Sequence, residues 1–285
     1  MNSLSFSLRD GDITGYAWPR PGAPRLMFLH ANGFNARTYT SMLQPLAEHF
    51  DILALDLRGH GRCRLPTPWD RMRNYDIYVE DIEAVITQLD RPVDILSGHS
   101  LGATVSLLTT HRLQLNVQLA LIEAVILPAP IYYLNMTPLQ RLMHDRLPFA
   151  RLARRRGRSW ADTDTVKARY ARRKPFNLWA PGVLDDYLAD GLRPAPDGVE
   201  LTCPPEWEAA NYEAQGHNVP HALAKTAQRL GSRFTLLRAE FESTLMDLSA
   251  IKRHGLTPIA LDGLTHLAPQ EAPERVASEL VRILG

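Results

Sequence analysis

Cysteine is scarce in this chain: Cys63 and Cys203 are the only two in 285 residues. That excludes a fold stapled by several disulfides and points to a reducing compartment. Long apolar runs are missing as well. The longest candidate, Leu119 to Leu127, is short and contains Glu123, whereas a membrane-spanning helix needs about 20 apolar residues. No integral membrane segment is therefore expected. The first residues show no basic stretch followed by an apolar one, as a secretory signal would, and a cytoplasmic location is expected. Net charge is only +1, which excludes a polyelectrolyte. No nucleic-acid-binding motif accompanies the basic residues, so nucleic acid is not an expected partner. Internal repeats and low-complexity segments are also lacking.

What is present is a chain long and apolar enough, at 45% hydrophobic residues, to bury one large core or a core with an added subdomain. Two β-type runs open it, at 4–8 and 13–18. The runs 25–30 and 51–56 are apolar without polar alternation, as suits strands covered on both faces of a parallel sheet. Helical patterns at 37–49, 74–90 and 101–112 alternate with strands at 93–97 and 117–123. This rhythm calls for right-handed crossovers and an open parallel sheet. It breaks after Leu127, where Pro128, Pro130, Pro138 and Pro148 punctuate short helical pieces without strands. It resumes with helices at 219–230, 244–254 and 272–283 and strands at 233–239 and 257–261. The expected organisation is a core made of 1–127 and 213–285, with 128–212 as a helical cap.

Charge is uneven. Residues 141–174 hold 12 Lys/Arg against 3 Asp/Glu, leaving 20 basic and 28 acidic residues elsewhere. This is read either as a solvated helical face or as a surface that attracts an anionic substrate or a lipid surface.

The richest local signal is Gly98-His99-Ser100-Leu101-Gly102, between an apolar strand and a helical run. It fits a sharp strand-to-helix turn that lifts one hydroxyl above the sheet, with glycines where a β-carbon would collide. The helix starting at Leu101 would point its free N–H groups at that hydroxyl, where they can stabilise an anion. A neutral serine needs a base within reach. His266, on a loop after the last strand, is the best placed of ten histidines and would sit at the same sheet edge.

Four landmarks occur in order: His30-Ala31-Asn32-Gly33-Phe34, Asp56-Leu57-Arg58-Gly59-His60-Gly61, the pentapeptide, and Leu264-Thr265-His266-Leu267-Ala268-Pro269. Together they resemble the α/β-hydrolase family along nearly the whole chain, the cap excepted. The resemblance implies a mostly parallel eight-stranded sheet flanked by helices, with a cap after the sixth strand. It also implies Ser100 as nucleophile, His266 as base and backbone oxyanion donors after the third strand. We assign these to the N–H groups of Asn32 and Leu101, with Phe34 as the alternative to Asn32. Ala31 stands where the family often has glycine.

The acid of a catalytic triad is less plainly marked. Many members carry Asp after the seventh strand; here that stretch reads Arg238-Ala239-Glu240-Phe241-Glu242. Glu123 is favoured, a carboxylate at a strand end inside an apolar run, costly to bury unless used. The segment is similar to haloalkane dehalogenases, whose acid follows this strand. Glu242 is the alternative, and either choice keeps the order serine, acid, histidine. His99 lines or supports the pocket. His217 and His221 have an i,i+4 spacing that metals use on helices, but Pro220 lies between them and no acidic motif follows, so no metal is expected.

The expected activity is hydrolysis of a carboxylic ester or similar acyl bond of a small molecule, anionic if the basic segment serves it. No cofactor is required. Carbon–carbon bond hydrolysis, lactone hydrolysis and cofactor-free perhydrolysis remain alternatives on the same residues. Epoxide hydrolases and haloalkane dehalogenases use an Asp nucleophile, against which Ser100 argues. A ligand receptor or interaction protein built on this fold is a further alternative.

Overall fold

A computed structural model describes residues 1–135, 137, 147–241 and 246–285. Its main sheet has eight strands: β1 (Asn2–Leu8), β2 (Gly11–Trp18), β3 (Arg25–Leu29), β4 (Asp51–Leu55), β5 (Ile95–His99), β6 (Gln118–Ile122), β10 (Phe234–Ala239) and β11 (Ile259–Leu261). The spatial order is β1-β2-β4-β3-β5-β6-β10-β11. The pairs β1–β2 and β2–β4 are antiparallel and all other pairs are parallel.

All five residues of β3, β4 and β5 are buried, because helices cover both faces. Successive side chains feed opposite cores, as the two-residue strand period requires. Leu26 and Phe28 face a core with Tyr39, Met42 and Leu280, while Met27 and Leu29 face one with Tyr78, Val105 and Leu223. The helix Pro273–Leu284 shows how sequence dictates this packing. Proline occupies its first turn, where an N–H would be unpaired anyway, and Val276, Ala277, Leu280 and Leu284 form the buried stripe of a 3.6-residue period. Emptying one such Leu position costs about 2–5 kcal/mol.

Between β6 and the helix Val219–Leu230 that leads into β10, the chain forms the helices Ala129–Asn135, Pro148–Arg154, Thr163–Ala171, Val183–Gly191 and Pro205–Glu213 among the described residues. It also forms a small antiparallel sheet, β7 (Ser159–Trp160), β8 (Leu192–Ala195) and β9 (Gly198–Leu201), in the order β7-β9-β8. The expectation of helical pieces without strands is corrected here. Pro196-Asp197-Gly198 is a turn signal: Gly198 has φ 131°, and Arg193 opposes Glu200 with a 2.8 Å ion pair. The helix Pro205–Glu213 packs Trp207 and Ala210 into the main core, so its packing belongs to the body of the molecule. Among the described residues, no helix is long and apolar enough to cross a membrane.

This topology puts the carboxyl ends of β3, β5, β6 and β11 at one edge of the sheet, where loops of open α/β sheets gather their ligands.

Candidate active site

Ser100 follows β5 directly, and the helix Leu101–Arg112 follows Ser100. Its backbone sits at φ 52°, ψ −111°, a conformation that costs a non-glycine residue about 1–3 kcal/mol. The flanking glycines are forced by close approach. A β-carbon on Gly102 would lie 2.1 Å from the Leu29 carbonyl oxygen, and one on Gly98 would lie 2.5 Å from the backbone of Gly102. The strained serine is held by its own N–H, which donates to the Ile122 carbonyl at 2.9 Å.

The loop after β11 brings His266 Nε2 to 3.0 Å from Ser100 Oγ. His266 Nδ1 lies 2.8 Å from Glu123 Oε2. A carboxylate can only accept, so Nδ1 carries the proton and Nε2 is left to accept from the serine hydroxyl. Glu123 directly follows β6, is 2% exposed and also has a positive φ, 51°. Its N–H donates to the Leu237 carbonyl at 2.9 Å and its Oε1 accepts from the Ala239 N–H at 2.7 Å. Both oxygens are therefore held, one by the backbone of β10 and one by the imidazole. Glu242 lies outside the described residues.

Of the four N–H groups of residues 31–34 in the loop after β3, three are engaged. Ala31 N–H donates to the Tyr39 hydroxyl at 3.1 Å, Gly33 N–H to His60 Nε2 at 3.0 Å and Phe34 N–H to the Ala31 carbonyl at 3.2 Å. The Asn32 N–H has no acceptor among the described residues. Leu101 N–H heads its helix, ahead of the i→i−4 ladder. Phe34 instead contributes its ring, edge-on to Trp179 and Tyr187. Asn32 Oδ1 accepts from Asn211 Nδ2 at 2.9 Å and its Nδ2 donates to the Glu208 carbonyl at 2.9 Å. The loop is thereby tied to the helix Pro205–Glu213.

Buried histidines lace these loops together. His30 Nε2 accepts from Leu57 N–H at 2.9 Å and its Nδ1–H donates to the Ala31 carbonyl. His60 Nδ1–H donates to the Arg58 carbonyl. Burial pushes the His30 imidazole down to about 4. Burial, then repulsion from His30, holds His60 well below the usual range. Both are neutral struts between the 30–34 and 56–61 loops. Within the second of these, Gly59 lets Trp207 pack against the backbone, since a β-carbon would lie 2.3 Å from its ring.

The structure does not bring His217 and His221 together. His217 precedes the helix Val219–Leu230 and stacks on Tyr75 at 4.1 Å; His221 meets the ring of His111. Among the described residues no cluster of three potential metal ligands occurs.

Sequence reasoning did not single out Tyr39 or Asn211. Nothing local marks either; each acquires its part only when distant loops meet.

A model of the alpha/beta hydrolase family matches residues 26–279. Over 108 residues the chain is 40% identical to a putative non-heme haloperoxidase of Mycobacterium phage D29, covering 36% of each protein. Over 87 residues it is 32% identical to a putative esterase/lipase of Haemophilus influenzae, covering 30% of this chain and 29% of that protein. These sequence matches span only about a third of the length of the curated relatives. The crystal structure of E-2-(acetamidomethylene)succinate hydrolase superposes with a TM-score of 0.76 at 18% identity, over 99% of this chain and 98% of that one, a likeness of fold. With the family match running from β3 into the last helix, this chain belongs to the alpha/beta hydrolase family.

Proposed function

We propose that the protein is a serine hydrolase that cleaves a carboxylic ester, or a chemically similar acyl bond of a small molecule, through an acyl-enzyme on Ser100. The observation that carries this reading is the continuous pair of hydrogen bonds from Ser100 Oγ through His266 to Glu123, 3.0 and 2.8 Å long.

Ser100 Oγ attacks the carbonyl carbon while its proton passes to His266 Nε2. Glu123 keeps the imidazole in the required tautomer and balances the imidazolium. The tetrahedral oxyanion takes the N–H groups of Asn32 and Leu101, the second at the positive end of a helix dipole. The carbon–oxygen bond to the leaving group breaks as His266 protonates it. Water, deprotonated by the same imidazole, then attacks the acyl group; the bond to Ser100 breaks, Oγ regains a proton and the acid leaves. The scheme uses side chains, backbone amides and water alone.

Residues 128–212, apart from the helix Pro205–Glu213 that packs into the main core, act in this reading as a cap that excludes water and selects the acyl group. Its basic stretch is partly neutralised. Arg154 and Lys167 pair with Glu213 and Asp185, while Arg156 and Arg158 pair with Glu208 and Glu206. The anionic-substrate reading therefore rests on Arg151, Arg155, Arg169, Arg172, Arg173 and Lys174, which are exposed and make no ion pair among the described residues; Arg141 and Arg146 lie outside them. If it holds, kcat/KM for an anionic ester falls as salt rises while that for a neutral ester does not.

Similarity to a protein named as a putative haloperoxidase favours one second reading: hydrogen peroxide replaces water in the deacylation step and the acyl group leaves as a peracid. A panel of nitrophenyl esters of graded chain length, with Ser100→Ala as control and with and without peroxide, tests both. Ester turnover lost in Ser100→Ala supports the hydrolase reading. Turnover that survives the substitution contradicts it.

A further inference from the structure

Behind the serine–histidine pair runs a second line of hydrogen bonds. The Ala31 N–H donates to the Tyr39 hydroxyl at 3.1 Å. The Tyr39 hydroxyl lies 2.7 Å from His99 Nδ1. His99 Nε2 lies 2.8 Å from the main-chain carbonyl oxygen of His266. The protons can be placed without ambiguity. A carbonyl only accepts, so Nε2 carries the ring proton; Nδ1 must then accept, and the Tyr39 hydroxyl donates to it while its lone pair takes the Ala31 N–H.

We propose that Tyr39 and His99 are positioning residues, whose buried hydrogen-bond chain holds the nucleophile turn, the base loop and the oxyanion loop in mutual register. The inference rests on the hydrolase reading for its kinetic consequence, though not for its geometry.

Each end of the chain lands one residue from a reacting group or on it. Ala31 precedes Asn32, whose N–H has no acceptor among the described residues. His99 precedes Ser100, so its ring is anchored to the backbone that sets the serine. His266 is bonded through its own carbonyl. These three segments lie far apart in sequence and meet through loops, which side-chain bonds must fix where no ladder does. Tyr39 is 1% exposed and His99 fully buried; a donor or acceptor lost here finds no water to replace it, so the network has a single satisfied arrangement. That arrangement needs a neutral His99, because a second ring proton would face the Tyr39 hydroxyl and put a positive charge beside His266, 5.2 Å away between ring centres. Burial, reinforced by the neighbouring His266, keeps the His99 ring well below the usual histidine range. The ring thus serves as a fixed two-ended connector and takes no part in proton transfer.

The test compares His99→Leu, which removes both ends of the connector, with His99→Gln, whose carboxamide offers one acceptor and one donor at similar spacing. Tyr39→Phe breaks the chain one link earlier. Tyr16→Phe, which removes a buried hydroxyl bonded to Asp190 at 2.6 Å on a distant strand, controls for loss of a buried tyrosine hydroxyl. Turnover is measured per active site, titrated with a fluorophosphonate, well below the unfolding temperature of each variant. His99→Leu and Tyr39→Phe are expected to lose kcat about 10- to 100-fold with KM changed less than about threefold. His99→Gln should recover most of the loss, and Tyr16→Phe should match the parent. In parallel, the far-downfield proton NMR signal of His266 Nδ1–H should broaden or vanish in His99→Leu and persist in His99→Gln. Retention of full kcat per site and of the proton signal in His99→Leu overturns the proposal, as does a His99→Gln variant no better than His99→Leu. The proton measurement needs no turnover. A parent enzyme that fails to label at Ser100 therefore sinks the hydrolase reading while the signal still decides the positioning role.

Discussion

Glu123 and His266 stand 143 residues apart in sequence and 2.8 Å apart in space. Its second oxygen is held by the Ala239 N–H at 2.7 Å. Glu123→Gln is informative for this reason. A carboxamide has one accepting oxygen, so satisfying Ala239 turns an N–H toward the Nδ1–H of His266, and satisfying His266 does the same to Ala239. We expect kcat to fall about 10³- to 10⁴-fold, as when a triad acid is made neutral, with Glu242→Gln close to the parent enzyme. Steady-state kinetics on one ester checks it. Near-full turnover in Glu123→Gln moves the acid elsewhere.

The strain at Ser100 makes a prediction about stability. At φ 52° and ψ −111° glycine pays no β-carbon penalty, whereas serine does. Ser100→Gly should stabilise the protein by about 1 kcal/mol while abolishing activity, read as a higher urea midpoint at unchanged slope. A lower midpoint would mean that the Ser100 hydroxyl, through His266, contributes more than the strain costs.

Asn32 joins the loop after β3, which carries the proposed oxyanion donor, to the helix Pro205–Glu213 through two side-chain bonds of 2.9 Å. Asn32→Ala keeps the backbone N–H and removes both ties. The donor should then wander from the position where the oxyanion forms. A loss in kcat of about tenfold, with a smaller change in KM, is expected from such a misplacement. An unchanged kcat would show that the loop holds its shape without help from that helix.

Acid should destabilise the fold through its buried histidines. His30 is held down to about 4 and His217 to about 3, both chiefly by burial, against about 6.5 in an unfolded chain. Between those limits the unfolded state binds more protons, so stability falls as pH drops from about 6.5 and levels off below the folded values. Each such histidine contributes a slope of up to about 1.4 kcal/mol per pH unit. His217→Phe, which can keep the stack on Tyr75, should flatten the dependence of the urea midpoint on pH by one proton. A slope identical to the parent's would show that His217 is protonated in the folded protein.

Much of this site was written in local sequence because local sterics demanded it. Gly98 and Gly102 sit where a β-carbon would strike backbone, and Glu123 stood out as a carboxylate in an apolar strand. The parallel character of the sheet followed from apolar runs that a doubly covered sheet requires, whereas its strand order did not show in the sequence. Other features were hidden because they depend on what meets them. Phe34 was the alternative backbone donor to Asn32, and its N–H closes a turn onto Ala31. The hairpin of β8 and β9 was masked by Pro194 and by its four-residue strands, although Asp197-Gly198 announced a turn. The helix expected at 244–254 is described over Leu248–Arg253, where Asp247 caps it by accepting from Ser249 and Ala250 N–H, a start signal the periodicity alone overran. Tyr39 carries no motif at all; its hydroxyl matters because Ala31 and His99 converge on it.

The central claim is that Ser100 is a nucleophile activated by His266, and covalent labelling tests it most directly. The protein is treated with a fluorophosphonate, digested, and the adduct located by mass spectrometry. The account predicts one adduct per chain on Ser100, none in Ser100→Ala, and much slower labelling in His266→Ala. An unmodified Ser100, or labelling at the same rate without His266, would contradict it.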